Sequence, residues 1–343
     1  MPIGDVEGSP ASVEDSPAPV EDGGPSMAGA GRPARDLQRT FRLVLATVWL
    51  LDAALQLQPN MFTRGSNGFS GMLDGVASGN PGFVYHSVTW NASNVYHQPI
   101  VSNTIFASVQ FLISFGIVYK RTCRPALALS IVWAVSVWWF GEAAGQVFHG
   151  GATPFGGGPG GVLFYAVLAV LLWPNEGSDK PFVAARTVGL TAAKAIWSAV
   201  WGVLAVLSVV GSGRSPLALH DLVVGLDKGQ PGWLAHIDRF SESLLLHHGT
   251  TLAVLLAVVC VVVAVGVYTP PTMAQFAVVL AIVVFALIWV AVQDVGGILA
   301  GGATDPNSGL LVILFALIYW PLTTARATAT TRIPGPQPTG AEA

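Results

Sequence analysis

The sequence predicts an all-α, polytopic membrane protein of about eight transmembrane helices, arranged as two parallel-repeat four-helix units. Three observations predict it. Of the 343 residues, 52% are hydrophobic and 10% are charged, whereas an ordinary soluble domain carries roughly 25% charged residues. The apolar runs reach the roughly 20 residues that an α-helix needs to cross a hydrocarbon core. A set of turn residues also recurs at near-constant spacing.

Residues 1–37 are acidic and rich in Pro and Gly, with six acids in the first 22 positions. Such a segment buries too little apolar surface to offset its ordering entropy, so a disordered cytoplasmic tail is expected. It lacks the apolar core of a signal peptide. Apolar runs then follow at 40–58, 101–119, 126–148 and 161–174, which make a first membrane unit over 38–175. A cytoplasmic linker covers 176–186. The runs 187–210, 249–269, 272–298 and 309–322 make a second unit over 187–322, and 323–343 reads as a disordered cytoplasmic tail. Two long polar loops, 59–100 and 211–248, hold apolar stretches too short to span, which suit the membrane interface.

Lysine and arginine set the orientation. Arg32, Arg35, Arg39, Arg42, Lys120, Arg121, Arg124, Lys180, Arg186, Arg326 and Arg332 fall on one side; Arg64, Arg214, Lys228 and Arg239 fall on the other. Both termini are therefore expected in the cytoplasm, the long loops outside, and the protein in the plasma membrane. No polybasic run suggests nucleic acid. Cys123 and Cys260 form neither a CxxC pair nor a zinc spacing, so they read as structural or incidental.

The repeat appears at a shift of 150, where Gly75, Gly79, Pro81, Gly82, His86 and His97 fall on Gly225, Gly229, Pro231, Gly232, His236 and His247. At a shift of 151, Trp138 and Gly150-Gly151-Ala152-Thr153 fall on Trp289 and Gly301-Gly302-Ala303-Thr304. Trp173-Pro174 and Trp320-Pro321 close the units. An even number of spans per unit makes the copies parallel.

The stretch GNPGFVYH…NTIFASVQFLISFGIVYKRTCRPALALSIVWAV, repeated as GQPGWLAH…TTLAVLLAVVCVVVAVGVYTPPTMAQFAVVLAIV, resembles the DoxX-like four-helix membrane proteins. Gly116 and Gly266 near the end of the second span, and the Arg or Pro in the next turn, are part of the likeness. The resemblance covers 40–322 as two copies. It implies a membrane subunit associated with quinone or thiol redox systems. The acidic residue that such proteins often carry early in the second span is absent here, and His97 and His247 stand nearby.

Ionisable residues inside spans are functional candidates because burying them in lipid costs several kcal/mol. Asp52, Glu142, Lys194 and Asp294 qualify. Glu142, Gln146 and His149, spaced i, i+4, i+7, are expected to share one helical face and form an outward proton-handling stripe. The alternative is a hydrated helix end. Trp138, Trp139, Asp52 and Asp294 are candidates to line a pocket for a flat ligand such as a quinone ring; packing is the competing role for the tryptophans. His86, His97, His236 and His247 could gather a metal or haem iron if their loops converge, or serve as plain hydrogen-bonding residues. The glycine run 150–161 lacks the Lys-Ser/Thr of a phosphate loop. Asn91-Ala92-Ser93 matches a glycosylation sequon.

Three functions remain open: a redox-associated subunit that binds quinone, a structural or accessory subunit, and a small-solute or metal-ion transporter.

Overall fold

The computed structural model describes residues 36–66, 68–175 and 180–322. The tails expected to be disordered, at 1–35 and from 323, lie outside the described residues, as does 176–179 of the linker. The described chain is helical throughout, with no strand.

The first half builds α1 (Leu37–Leu55), α2 (Phe69–Ala77), α3 (Gly82–His97), α4 (Pro99–Val118), α5 (Cys123–Phe140) and α6 (Leu163–Leu171). The second builds α7 (Val183–Val188), α8 (Leu190–Val209), α9 (Pro216–Asp221), α10 (Gly232–Gly266), α11 (Pro271–Ala291) and α12 (Asn307–Leu317). Five segments are long and apolar enough to cross a membrane: Pro99–Val118, Cys123–Phe140, Leu190–Val209, Gly232–Gly266 and Pro271–Ala300. Only 28–33% of their residues are buried within the protein. The remaining apolar faces, including Ile105, Leu112, Val132, Val261 and Leu287, need a lipid solvent, so the chain is a multi-pass helical membrane protein.

Local sequence explains where helices start and break. Gly79 (φ +78°) and Gly229 (φ +82°) take the left-handed conformation that glycine adopts without penalty. Pro81 and Pro231 follow and occupy the N-caps of α3 and α10. Pro99 lacks an N–H and divides α3 from α4 at Gln98 (φ −132°, ψ 59°). Its counterpart at a shift of 150 is Gly249, which has an N–H, and α10 runs unbroken for 35 residues. At 1.5 Å per residue that is about 52 Å, well beyond a roughly 30 Å hydrocarbon core.

Small residues bring neighbouring helices close. A Cβ on Gly116 would overlap the Ala126 methyl between α4 and α5, and one on Gly266 would overlap the Ala277 methyl between α10 and α11. α1 packs on α4, α8 on α10, α5 on α6, and α11 on α12. Two buried tryptophans bond across helices: Trp49 Nε1 donates to Ser130 Oγ at 3.0 Å, and Trp197 Nε1 to the Val263 carbonyl at 2.8 Å. The halves meet where α6 packs on α12, with the Phe164 and Phe315 rings 6.0 Å apart.

Two expected spans end early. The run 126–148 is helical only to Phe140, and the run 272–298 only to Ala291. The chain then turns left-handed. Ala143, Ala144, Gly145 and Gln146 all have φ between 47° and 61°, and Asp294, Val295, Gly296 and Gly297 have φ between 53° and 75°. The glycines permit these turns, but for the other residues a left-handed conformation costs roughly 1–2 kcal/mol each. After each turn the chain runs irregularly to a short helix: α6 has 9 residues, about 14 Å, and α12 has 11. Trp138 Nε1 donates to the Pro159 carbonyl and Trp289 Nε1 to the Pro306 carbonyl, each at 2.7 Å, which holds these irregular segments against the preceding helix.

Candidate ligand chamber

Helical spacing places the polar residues of α1 on one face. Trp49, Asp52 and Gln56 follow at i, i+3 and i+7. Phe106 and Gln110 do the same on α4, and Trp133, Val137 and Phe140 on α5. These three faces, with Tyr165 from α6 and Asp305 from the turn before α12, enclose a cavity of about 220 Å³. Trp90, Asn91 and Phe69 complete much of its wall. Three carboxyl groups line it (Asp52, Glu142 and Asp305), and among the described residues no lysine, arginine or histidine does. A second cavity of about 330 Å³ shares Phe69, Gly141, Glu142, Thr304 and Asp305 with the chamber and is otherwise walled largely by glycines 145, 151, 156–158, 160 and 161. Glu142 and Asp305 thus stand where the two spaces adjoin.

The polar groups of the chamber are incompletely paired. Asp52 is 2% exposed. Tyr165 donates its hydroxyl to Asp52 Oδ2 at 2.5 Å, and Asp52 Oδ1 has no partner. Glu142 Oε1 accepts the Val162 N–H at 3.3 Å, while its enclosed Oε2 has none. Gln110 Oε1 and the Trp133 indole N–H are also enclosed without partners. Asp305 is better supplied: Oδ1 accepts the Asn307 N–H at 2.8 Å and Oδ2 the Thr304 hydroxyl at 2.9 Å. Glu142 lies two residues past the end of α5, outside the spanning helix. Burial, and then the nearby Asp305 carboxylate, push it up to about 8.

The stripe expected of Glu142, Gln146 and His149 does not lie on a helix, because α5 has ended and 143–146 are left-handed. Only Glu142 reaches the chamber. Gln146 donates Nε2 to the Val76 carbonyl at 2.8 Å and accepts from Asn80 Nδ2 at 3.3 Å. His149 Nδ1 lies 2.9 Å from the Gly79 carbonyl. Both side chains hold α2 and the turn after it.

Of the expected pocket residues, Asp52 lines the chamber. Asp294, Trp138 and Trp139 are not among its lining residues. Asp294 accepts Gln230 Nε2 at its Oδ2 and lines a separate recess with Gly225 and Lys228. The Trp139 ring lies 6.2 Å from Phe83 and 6.3 Å from Phe148. Lys194 sits elsewhere, with its ammonium 5.0 Å from the Tyr268 ring.

His86, His97, His236 and His247 are exposed. His97 Nδ1 bonds the Ser93 carbonyl at 2.7 Å and His247 Nδ1 the Ser243 carbonyl at 2.8 Å, four residues back on their own helices. Among the described residues, no three His, Cys, Asp or Glu side chains are placed to hold a metal ion.

Sequence reading missed Asp305, Tyr165, Gln110, Trp133 and Phe106. The first lies outside any apolar run, and the others look like ordinary core residues. The available signal was the placement of Trp49, Asp52 and Gln56 on one face of α1. Comparison with protein-family models, with curated proteins and with solved structures finds no match for this chain.

Proposed function

We propose that this multi-pass membrane protein binds a small ring-bearing molecule in the chamber and exchanges a proton with it at Glu142. The observation that carries this reading is one cavity lined by seven aromatic side chains and three carboxyl groups, several of whose polar atoms have no partner. Aromatic faces suit a flat ligand, and a half-buried carboxyl near neutrality suits proton transfer.

In the redox reading the protein is a DoxX-like subunit of the plasma membrane, and the ring is a quinone supplied by the bilayer or by a redox partner. The eight-span, two-copy architecture belongs to this reading. It is supported by the matched His97 and His247 bonds, the matched Trp138 and Trp289 bonds, and the two left-handed turns. With both termini cytoplasmic, the chamber would open outward. The second reading, a small-solute transporter, is favoured by one observation: the lining holds three acids and no base.

Titration of purified protein with a short-chain benzoquinone tests the first reading. Trp49, Trp90 and Trp133 line the chamber, so binding quenches tryptophan emission saturably, and Glu142→Gln changes the pH dependence of the quench. A linear, non-saturating quench that is indifferent to Glu142→Gln removes the quinone. Thiol labelling tests the orientation. His86→Cys and His236→Cys react with an impermeant reagent from the same, outer side; labelling from opposite sides contradicts the parallel copies.

A further inference from the structure

We infer that the chamber binds a small aromatic primary amine as its ammonium ion, and that the cation displaces a proton held by the chamber's carboxyl groups. The inference rests on the chamber being a ligand site, as proposed above, and selects its ligand class.

Four observations carry it. First, the titratable groups facing the chamber are Asp52 from α1, Glu142 after α5, Tyr165 from α6 and Asp305 before α12, and no basic side chain among the described residues lines it. A positive ligand is the partner this charge arrangement lacks. Second, Asp52 is 2% exposed, lines the cavity, and keeps Oδ1 without a partner. A buried polar atom in that state is costly unless something hydrogen-bonds to it.

Third, the unpartnered oxygens of the lining are Asp52 Oδ1, Glu142 Oε2 and Gln110 Oε1. A primary ammonium offers three N–H donors, one for each. A quinone offers only acceptors: it can take a hydrogen bond from the protonated Glu142 carboxyl, but it has no donor for Asp52 Oδ1 or Gln110 Oε1. Fourth, Trp49, Trp133 and Tyr165 supply ring faces of the kind that attract cations.

The exchange balances in charge and atoms. The protonated Glu142 carboxyl and the ammonium give a carboxylate–ammonium pair, and one proton leaves to water through the adjoining glycine-walled space. No bond within the ligand is made or broken.

The probes are 2-phenylethylamine and its neutral counterpart 2-phenylethanol, with the full-length protein in detergent. The amine binds saturably by tryptophan emission, and the alcohol binds at least about tenfold more weakly, the loss of one charge-assisted hydrogen bond or more. In weakly buffered solution, amine binding releases protons, and its affinity rises about tenfold per pH unit below the range in which Glu142 titrates. Glu142→Gln removes that pH dependence, while Asp52→Asn weakens binding at every pH. Equal binding of amine and alcohol, or binding of the amine without proton release, overturns the inference. If the benzoquinone binds and the amine does not, the inference falls and the redox reading stands. If none of the three probes binds, both fall.

Discussion

The Tyr165 hydroxyl donates to Asp52 Oδ2 at 2.5 Å and joins α6 to α1 at the chamber wall. The Tyr165 ring also lies 4.1 Å from the Trp49 ring, one turn earlier on α1. One α6 residue thereby fixes both the charge and an aromatic face of the site.

Tyr165→Phe removes the one donor to Asp52 and leaves a fully buried carboxyl group without a partner. We expect a loss of about 1–3 kcal/mol of stability, the usual penalty for an unsatisfied buried polar group. Thermal unfolding in detergent measures it. Adding Asp52→Leu to Tyr165→Phe is less damaging than the two single losses summed, because the stranded group is gone. Strict additivity would show that the pair is not coupled.

Stability should fall as pH rises from about 5 to 8 because of Glu142. Its carboxyl is held at about 8 in the fold against an ordinary value of 4.5. Between these values the unfolded chain has lost the proton and the folded chain keeps it. The charged form is disfavoured by folding, so stability is greatest below the lower value and declines through the window, by at most about 1.4 kcal/mol per pH unit. Unfolding midpoints measured across this range should slope downward in the wild type and less so in Glu142→Gln. Parallel slopes would remove Glu142 as the cause.

Val295 sits at φ +54°, a conformation that a β-branched residue occupies only under strain. Val295→Gly is expected to raise stability by about 1 kcal/mol, against the usual direction for a glycine substitution. The converse holds at Gly145, where φ is +60° and a Cβ would collide with the Pro159 carbonyl. Gly145→Ala should destabilise and should also displace Glu142, three residues away. Circular dichroism melts of the two variants give the signs.

Gly116→Val and Gly266→Val insert side chains where Ala126 and Ala277 already touch the glycine backbone. Each is expected to cost roughly 1–3 kcal/mol through overpacking. The matched positions predict similar losses, read from the same unfolding curves.

Composition and run length were enough to reveal the membrane class, because lipid imposes a length and polarity on every spanning helix that a sequence must display. Proline marks the helix starts at Pro81, Pro99 and Pro231, but 59–100 and 211–248 read as polar loops, whereas α3 and the first half of α10 lie within them. Helix ends were not legible after Phe140 and Ala291, where apolar residues continue between the polar Glu142, Gln146, Gln293 and Asp294. There the turn follows from glycine placement and from Trp138 and Trp289 reaching forward to carbonyls beyond the turn. The spacing of Glu142, Gln146 and His149 read as a stripe because a helix was assumed through residues that are left-handed. Asp52 and Glu142 stood out as lone acids in apolar runs. Asp305 could not, because its role depends on the second half of the chain closing over the first. Tyr165, Gln110 and Trp133 gain their meaning only from the empty space they share.

The chamber takes residues from both halves, and labelling tests the proposal that it opens outward. Thr304→Cys lies where the chamber meets the glycine-walled space, and Cys123 and Cys260 are buried. In intact cells an impermeant maleimide should modify Thr304→Cys, and at about pH 8, where Glu142 titrates, 2-phenylethylamine should slow that reaction in the Glu142 background and much less with Glu142→Gln added. A Thr304→Cys protein that reacts only from the cytoplasmic side, or whose reaction rate ignores every chamber ligand, would contradict the site described here.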